Sequence, residues 1–258
     1  MFSFHLGLPG AALATGFCPG ITMLICSTHF CSKKNQVGFH RPHLSIKRLI
    51  GCCKLGVSAF VREISSGVIT IVFNMLLLGT AGNIGVAAYG VIANISLVTI
   101  SIFNGLAQGI QPLISESYGC GDKPSVKKLL RWGLITCLIL ELLIVAASWL
   151  FTDPLVNIFN SEQNLELLRY AHTGLRLYFL GFLIAGVNIL LVAYYSAIDR
   201  SRPAIVGSLL RGAVAIVICA FVLSALLGIH GIWISFLVSE MITLVVLLLL
   251  RLLILLSL

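Results

Sequence analysis

Glu63 is the residue in this sequence with the most chemistry to offer, because of where it stands. It lies inside Leu55 to Leu78, an apolar run long enough to cross a bilayer. Counted from Lys54 at ~1.5 Å per residue, its carboxylate sits roughly 12 Å into a hydrocarbon layer ~30 Å thick. A charge at that depth costs at least ~2.5–3.5 kcal/mol, so such residues face a bundle interior or a water-filled cavity. Glu63, Ser66, Gly67, Thr70 and Asn74 recur at helical spacing and share one face; the other faces carry Val, Ile, Phe, Met and Leu. A stripe of small polar residues also serves to pack helices together, and for Ser66, Gly67 and Thr70 that reading stands beside the functional one.

A second stripe occupies the next apolar run, Gly85 to Ile114. Asn94, Ser101, Asn104, Gly105, Gln108, Gln111 and Ser115 share a face, and amides within a bilayer must find partners or water. Pro112 lacks an N–H and is expected to kink this helix, freeing a carbonyl near Gln108. Gly105 and Gly109 form a G-x-x-x-G spacing, expected at a close helix contact. Glu116 is expected in solvent at the cytoplasmic interface. A third stripe joins Gly181, Asn188, Tyr195 and Asp199, with Asp199 solvated at the helix end. Together the three faces predict a shared cleft, lined by amides, aromatics and one carboxylate. Such a cleft suits an amphipathic organic solute, and a desolvated carboxylate that gains and loses a cation as the cleft changes sides couples transport to H⁺ or Na⁺. Arg62, Glu141, Arg211 and Glu240 also fall within or near apolar runs. Spacing assigns them no partners; contacts between helices decide their roles. Arg176 is expected to snorkel outward.

The elements that must hold these residues are membrane helices. The chain has 258 residues, 59% hydrophobic and 10% charged, with mean hydropathy +1.06. A soluble domain cannot bury that much apolar surface, so the expected fold is an all-α polytopic membrane protein. The net charge of +8 sits in loops between apolar runs and is not a nucleic-acid footprint. The Cys are dispersed, apart from the pair Cys52–Cys53, without a C-x-x-C, which predicts neither a disulfide framework nor a metal site; Cys18, Cys137 and Cys219 lie inside apolar runs and read as small hydrophobes. His40 and His43 alone pair ligand chemistry at close spacing, and one pair in a basic loop is weak support for a metal. No basic region precedes the first apolar run, so a cleaved signal peptide is not expected.

Crossings are expected at about Leu6–Ile25, Leu55–Leu78, Gly85–Ile114, Leu130–Phe151 and Leu175–Ile198. Ala204 to Leu258 is too long for one and divides at Leu227-Gly228-Ile229-His230-Gly231. Basic and non-basic loops alternate. The positive-inside rule places the loops 26–54, 118–131 and 199–203 in the cytoplasm, the start of the chain outside and its end inside. Trp132 and Trp149 mark the two ends of one crossing. Leu6-Gly7-Leu8-Pro9-Gly10 repeats as Leu227-Gly228-Ile229-His230-Gly231, and internal repeats are common in transporters. The expected organisation is therefore 1–28 as the last helix of an upstream lobe whose earlier helices are missing, 29–54 as a basic cytoplasmic inter-lobe loop, and 55–258 as a complete six-helix lobe.

These residues resemble the multidrug and toxic compound extrusion (MATE) family, most closely its MepA-type bacterial branch. The resemblance is carried by Gly85-Val86-Ala87-Ala88-Tyr89-Gly90-Val91-Ile92-Ala93-Asn94-Ile95, by Gly105-Leu106-Ala107-Gln108-Gly109-Ile110-Gln111-Pro112-Leu113-Ile114-Ser115, and by Tyr118-Gly119-Cys120-Gly121. Gly7-Leu8-Pro9-Gly10-Ala11-Ala12-Leu13-Ala14-Thr15 looks like the start of the family's sixth helix. The family has twelve helices in two lobes around a central cleft. The likeness implies that this chain is the sixth helix plus the C-terminal lobe, inactive alone or needing a second chain. It implies a multi-pass plasma-membrane exporter of lipophilic or cationic organic compounds in exchange for H⁺ or Na⁺, with no further cofactor. Glu63 matches the acidic residue of the seventh helix that contributes to a cation site in one branch. The tenth-helix Asp of that branch is here Asn188, a departure that weakens an intact cation site.

The rivals are a lipid-linked oligosaccharide flippase of the same superfamily, expected to carry more basic residues in its cleft, and a non-transporting membrane scaffold, which would tolerate Glu63→Gln. The sequence lacks G-x-x-x-x-G-K-[ST], H-E-x-x-H and G-x-S-x-G, so an enzyme is not expected.

Overall fold

The structure, a computed structural model, describes residues 7–28, 45–159 and 164–256. Among them all regular structure is helical. The loop residues Lys33, Lys34, His40, Arg41 and His43, together with Glu162, lie outside the described residues, as does the side chain of Arg62. The chain divides into two compact units, Met1–Ile46 and Lys47–Leu258.

The first unit holds α1, Gly7–Ser27, with Pro19 inside it. Its last turn is closed by its own hydroxyls: Ser27 Oγ donates to Met23 O at 2.7 Å and Thr28 Oγ1 to Ile25 O at 2.6 Å. These bonds satisfy carbonyls that a helix end otherwise leaves open.

The second unit begins with α2, Ile46–Gly119, a run of 74 residues. A straight helix of that length would extend ~110 Å, several times a ~30 Å hydrocarbon layer. It folds back at Gly82, where φ is 63° and ψ −156°. That conformation is open to glycine and strained for any residue with a Cβ. The two arms, 46–81 and 83–119, correspond to the second and third expected crossings. Residues 46–54, expected in the inter-lobe loop, are instead the first turns of α2. The break in helical winding falls at Gly82 and not at Pro112, where the winding continues.

Helix α3, Lys123–Leu150, starts at a capped end: Asp122 accepts from the backbone N–H of Ser125 at 3.1 Å and a proline occupies the first turn. Trp132, more than two turns into α3, and Trp149, at its far end, are both exposed. After the short α4, Thr152–Phe159, helices α5, Leu165–Phe179, and α6, Phe182–Ala197, meet at a bend of 46°. The single helix expected at Leu175–Ile198 is therefore a bent pair of helices that begins at Leu165. Its first turns alternate polar and apolar residues, so they do not stand out as an apolar run. Arg176 is exposed and donates from Nε to Thr152 Oγ1 at 3.4 Å.

Helix α7, Ser201–Leu209, passes through a π-helical turn, Leu210–Val214, into α8, Ala215–Leu227. Gly228, at φ 58°, separates α8 from α9, Ile229–Leu256, at the expected division. The core of this unit is aromatic. Phe73 stacks on Tyr89 across the arms of α2 at 5.1 Å, Tyr178 on Phe236 at 4.4 Å, and Trp233, Phe179, Phe182 and Phe103 are buried around them. Outward, Leu142, Leu143, Leu150, Ile218, Phe221 and Leu226 are exposed. Leaving large apolar side chains outward is stable where the surroundings are acyl chains.

Candidate functional site

Two polar regions emerge, and the residues expected to share one cleft are divided between them.

The first is the open side of α2. On the first arm Glu63, Ser66 and Thr70 are exposed and Asn74 is half-buried. On the second, Asn94, Ser101 and Gln108 are exposed, with Asn104 and Gln111 half-buried. Short hydroxyls and amides here bond back to their own helix: Thr70 Oγ1 to Ser66 O at 3.0 Å, Asn94 Nδ2 to Gly90 O at 2.8 Å, Ser101 Oγ to Leu97 O at 2.8 Å. The side chain of Thr70 also hydrogen-bonds across the arms to Tyr89 of the buried core. Pro112 and Ser115 lie on the same exposed side, and Glu116 is exposed at its end. Gly105 and Gly109, expected at a close helix contact, are exposed instead, and a Cβ at either would meet nothing within 4 Å. Exposed amides in a membrane helix must look onto water or protein, because acyl chains offer them no partner.

The second region is sealed. Asn188 and Tyr195, placed by spacing on the cleft wall, lie in the lobe interior on α6. The Tyr195 hydroxyl donates to Leu247 O at 3.4 Å. The Asn188 amide donates to Glu240 twice, to the backbone oxygen at 2.9 Å and to Oε2 at 2.7 Å. Glu240 on α9 is 1% exposed, and Arg211 Nε donates to its Oε1 at 2.9 Å. Arg211 sits in the π turn, where the Ala215 N–H reaches back to Leu210 O; such turns interrupt helices at functional positions more often than elsewhere. Nearby, Glu141 on α3 is also 1% exposed, and its Oε1 accepts from the Val187 N–H of α6 at 2.9 Å. Cys137, expected as a small hydrophobe, is buried one turn away with Sγ 3.9 Å from the same oxygen.

Helices α3 and α6 come this close because residue 186 is glycine: a Cβ there would lie 2.6 Å from the Phe103 ring and 2.8 Å from Cys137 Sγ. Sequence reading singled out Glu141, Arg211 and Glu240 without finding their partners. The partners come from other helices, and Glu240 lies 52 residues from Asn188 and 29 from Arg211. Among the described residues no group of three or more His, Cys, Asp or Glu is placed to hold a metal.

A lobe with an aromatic core, an apolar outer surface and amides exposed along α2 has the architecture of a polytopic membrane transporter. The chain belongs to the MatE family, whose model matches residues 59–227. It is similar to the multidrug export protein MepA of Staphylococcus saprophyticus, 27% identical over 244 residues that make up 93% of this chain and 52% of the relative. It is also similar to MepA of Staphylococcus aureus strain MSSA476, at 25% identity with the same coverage. Among solved structures it superposes on MATE in complex with MaL6 with a TM-score of 0.84 at 20% identity, covering 95% of this chain and 56% of that one. A mutant of the Vibrio cholerae MATE transporter VcmN gives 0.82 at 22%, covering 96% and 56%. The chain thus spans about half the length of the curated relatives it matches.

Proposed function

We propose that this chain is the C-terminal lobe of a cation-coupled multidrug exporter, working against a second six-helix lobe. The observation that carries the reading is the exposed stripe on α2. Thr70, Asn94, Ser101 and Gln108 lie open with Glu63 beside apolar neighbours such as Ile64, Ile71, Leu97 and Val98. A surface of this kind is costly against lipid and is suited to a wet cleft between lobes. The relatives bearing the name multidrug export protein support the same substrate class.

In this reading α1 closes the upstream lobe. The loop before α2, Lys123 to Arg131 and Arg200 with Arg202 face the cytoplasm, so the chain begins outside and ends inside. Ser66, Thr70, Asn74, Asn94, Ser101, Asn104, Gln108 and Gln111 line the path of a lipophilic or cationic organic compound, and Tyr195 steadies the α6 wall behind it. Glu63 exchanges the coupling ion, H⁺ or Na⁺, from the open face. Asn188 contributes to coupling from within, through its bonds to Glu240.

The test is efflux of a lipophilic cationic dye from cells expressing the chain with its second lobe. Glu63→Gln should lower efflux with expression intact; unchanged efflux would remove Glu63 from the mechanism, as a scaffold would allow. A flippase for lipid-linked sugars would call for basic side chains on the open stripe, and the described stripe is neutral apart from Glu63.

A further inference from the structure

The lobe buries two carboxylates in opposite settings. Glu240 has a donor on each oxygen, Arg211 on Oε1 and Asn188 on Oε2, and one of the donors is a cation. An ionised carboxylate is stable there. Glu141 is buried equally deeply, but its donors, the Val187 N–H and the Cys137 thiol, both meet Oε1. Its Oε2 is sealed from solvent and has no hydrogen-bond partner. An ionised carboxylate in that position would leave negative charge on a buried oxygen without a hydrogen-bond partner.

From this asymmetry we propose that Glu141 is a proton-binding site in the interior of the lobe, holding its proton on Oε2 while Glu240 stays ionised against Arg211. The step is a single proton transfer: Oε2 takes a proton from water or returns it, and no other bond changes. Polar and charged groups approach Glu141 from several helices. From α3 comes Cys137, a thiol. From α6 come the backbone N–H groups of Gly186 and Val187. From α9 comes the negative charge of Glu240, whose Oε1 is held by Arg211, and Tyr178 on α5 interacts with that ion pair.

Water reaches Oε2 only when α3 and α6 part. They pack tightly at Gly186, one residue before the N–H that Glu141 holds. Proton exchange is thereby tied to movement of α6 relative to α3. This site is separate from Glu63. It rests on the exporter reading only for the use made of the proton, and it would name H⁺ as an ion that this lobe carries.

The test is infrared difference spectroscopy of the purified chain in lipid, without substrate. At neutral pH the wild type should show the C=O band of a protonated carboxyl that exchanges slowly in heavy water. Glu141→Gln should abolish the band and Glu63→Gln should leave it. Cys137→Ala, which removes one donor to Oε1 and needs no refolding of the seam, should move the band in frequency. Absence of the band in the wild type, its survival in Glu141→Gln, or an unmoved band in Cys137→Ala would each overturn the proposal. Dye efflux is scored separately: a band present with no efflux under any condition removes the exporter reading and leaves the proton site standing.

Discussion

The open side of α2 and the sealed seam between α3, α6 and α9 are built from the same few groups, carboxylates and amides, and the lobe treats them in opposite ways. On α2 the polar groups satisfy themselves locally. Thr70, Asn94 and Ser101 bond to carbonyls one turn back on their own helix, so removing one leaves little unpaired. In the seam the side-chain bonds joining Asn188, Glu240 and Arg211 cross between elements, and removing one partner strands another in an apolar interior. The first region can change its occupants while the fold stays intact. The second binds α6, the π turn and α9 into one body, so that a movement of one is felt by the others.

This contrast can be broken or sharpened by substitution, with melting of the purified chain in detergent as the common measurement. The largest loss is expected for Arg211→Met, which leaves Glu240 buried without its cation: about 3–5 kcal/mol. Replacing both partners, Arg211→Met with Glu240→Leu, should recover most of that loss, since a well-packed apolar pair is often as stable as a buried ion pair. If the double variant melts as low as the single one, the ion pair is needed for more than mutual neutralisation.

Gly186→Ala comes next. Its methyl would overlap the Phe103 ring and Cys137 Sγ, and overpacking of this kind costs ~1–3 kcal/mol. Asn188→Leu should cost a similar ~1–3 kcal/mol by withdrawing a donor from Glu240. On the open side, Asn94→Ala and Gln108→Ala should stay within about 0.5 kcal/mol of wild type while weakening retention of a lipophilic cationic dye. Equal melting losses at Gln108 and Asn188 would erase the distinction between the regions.

The smallest effect belongs to the cap of α3. Ser125, chiefly through its hydroxyl and then through its backbone N–H, holds the Asp122 carboxyl below its ordinary value. The cap therefore stabilises the fold above the ordinary carboxylate range and is lost as pH falls through the depressed value. Melting temperature should drop over that acid interval in wild type, and less in Asp122→Ala.

Much of the architecture was readable from residue order alone. Apolar runs with charged loops between them show which segments cross a bilayer, because lipid leaves no other place for them. Gly228 marked the division of the last run because a helix reversal needs a backbone conformation that glycine supplies cheaply. The stripes on α2 were visible as periodicity, since every member lies on one helix. Where neighbouring residues in the chain are also neighbours in space, spacing is enough: Glu63 with Ser66, Gly67 and Thr70, or Asn104 with Gln108 and Gln111.

The bent pair α5–α6 was half hidden, because the polar residues of Leu165–Phe179 mask a helix that belongs with the apolar one after it. The side of α6 that carries Asn188 and Tyr195 was hidden altogether. Periodicity shows that residues share a face and not what that face meets. The bonds from Asn188 to Glu240, from Glu240 to Arg211 and from Glu141 to Val187 join elements 29 to 52 residues apart. Only packing decides such contacts, for a bond across helices depends on their crossing and on a missing Cβ at Gly186, and neither is a property of any one helix.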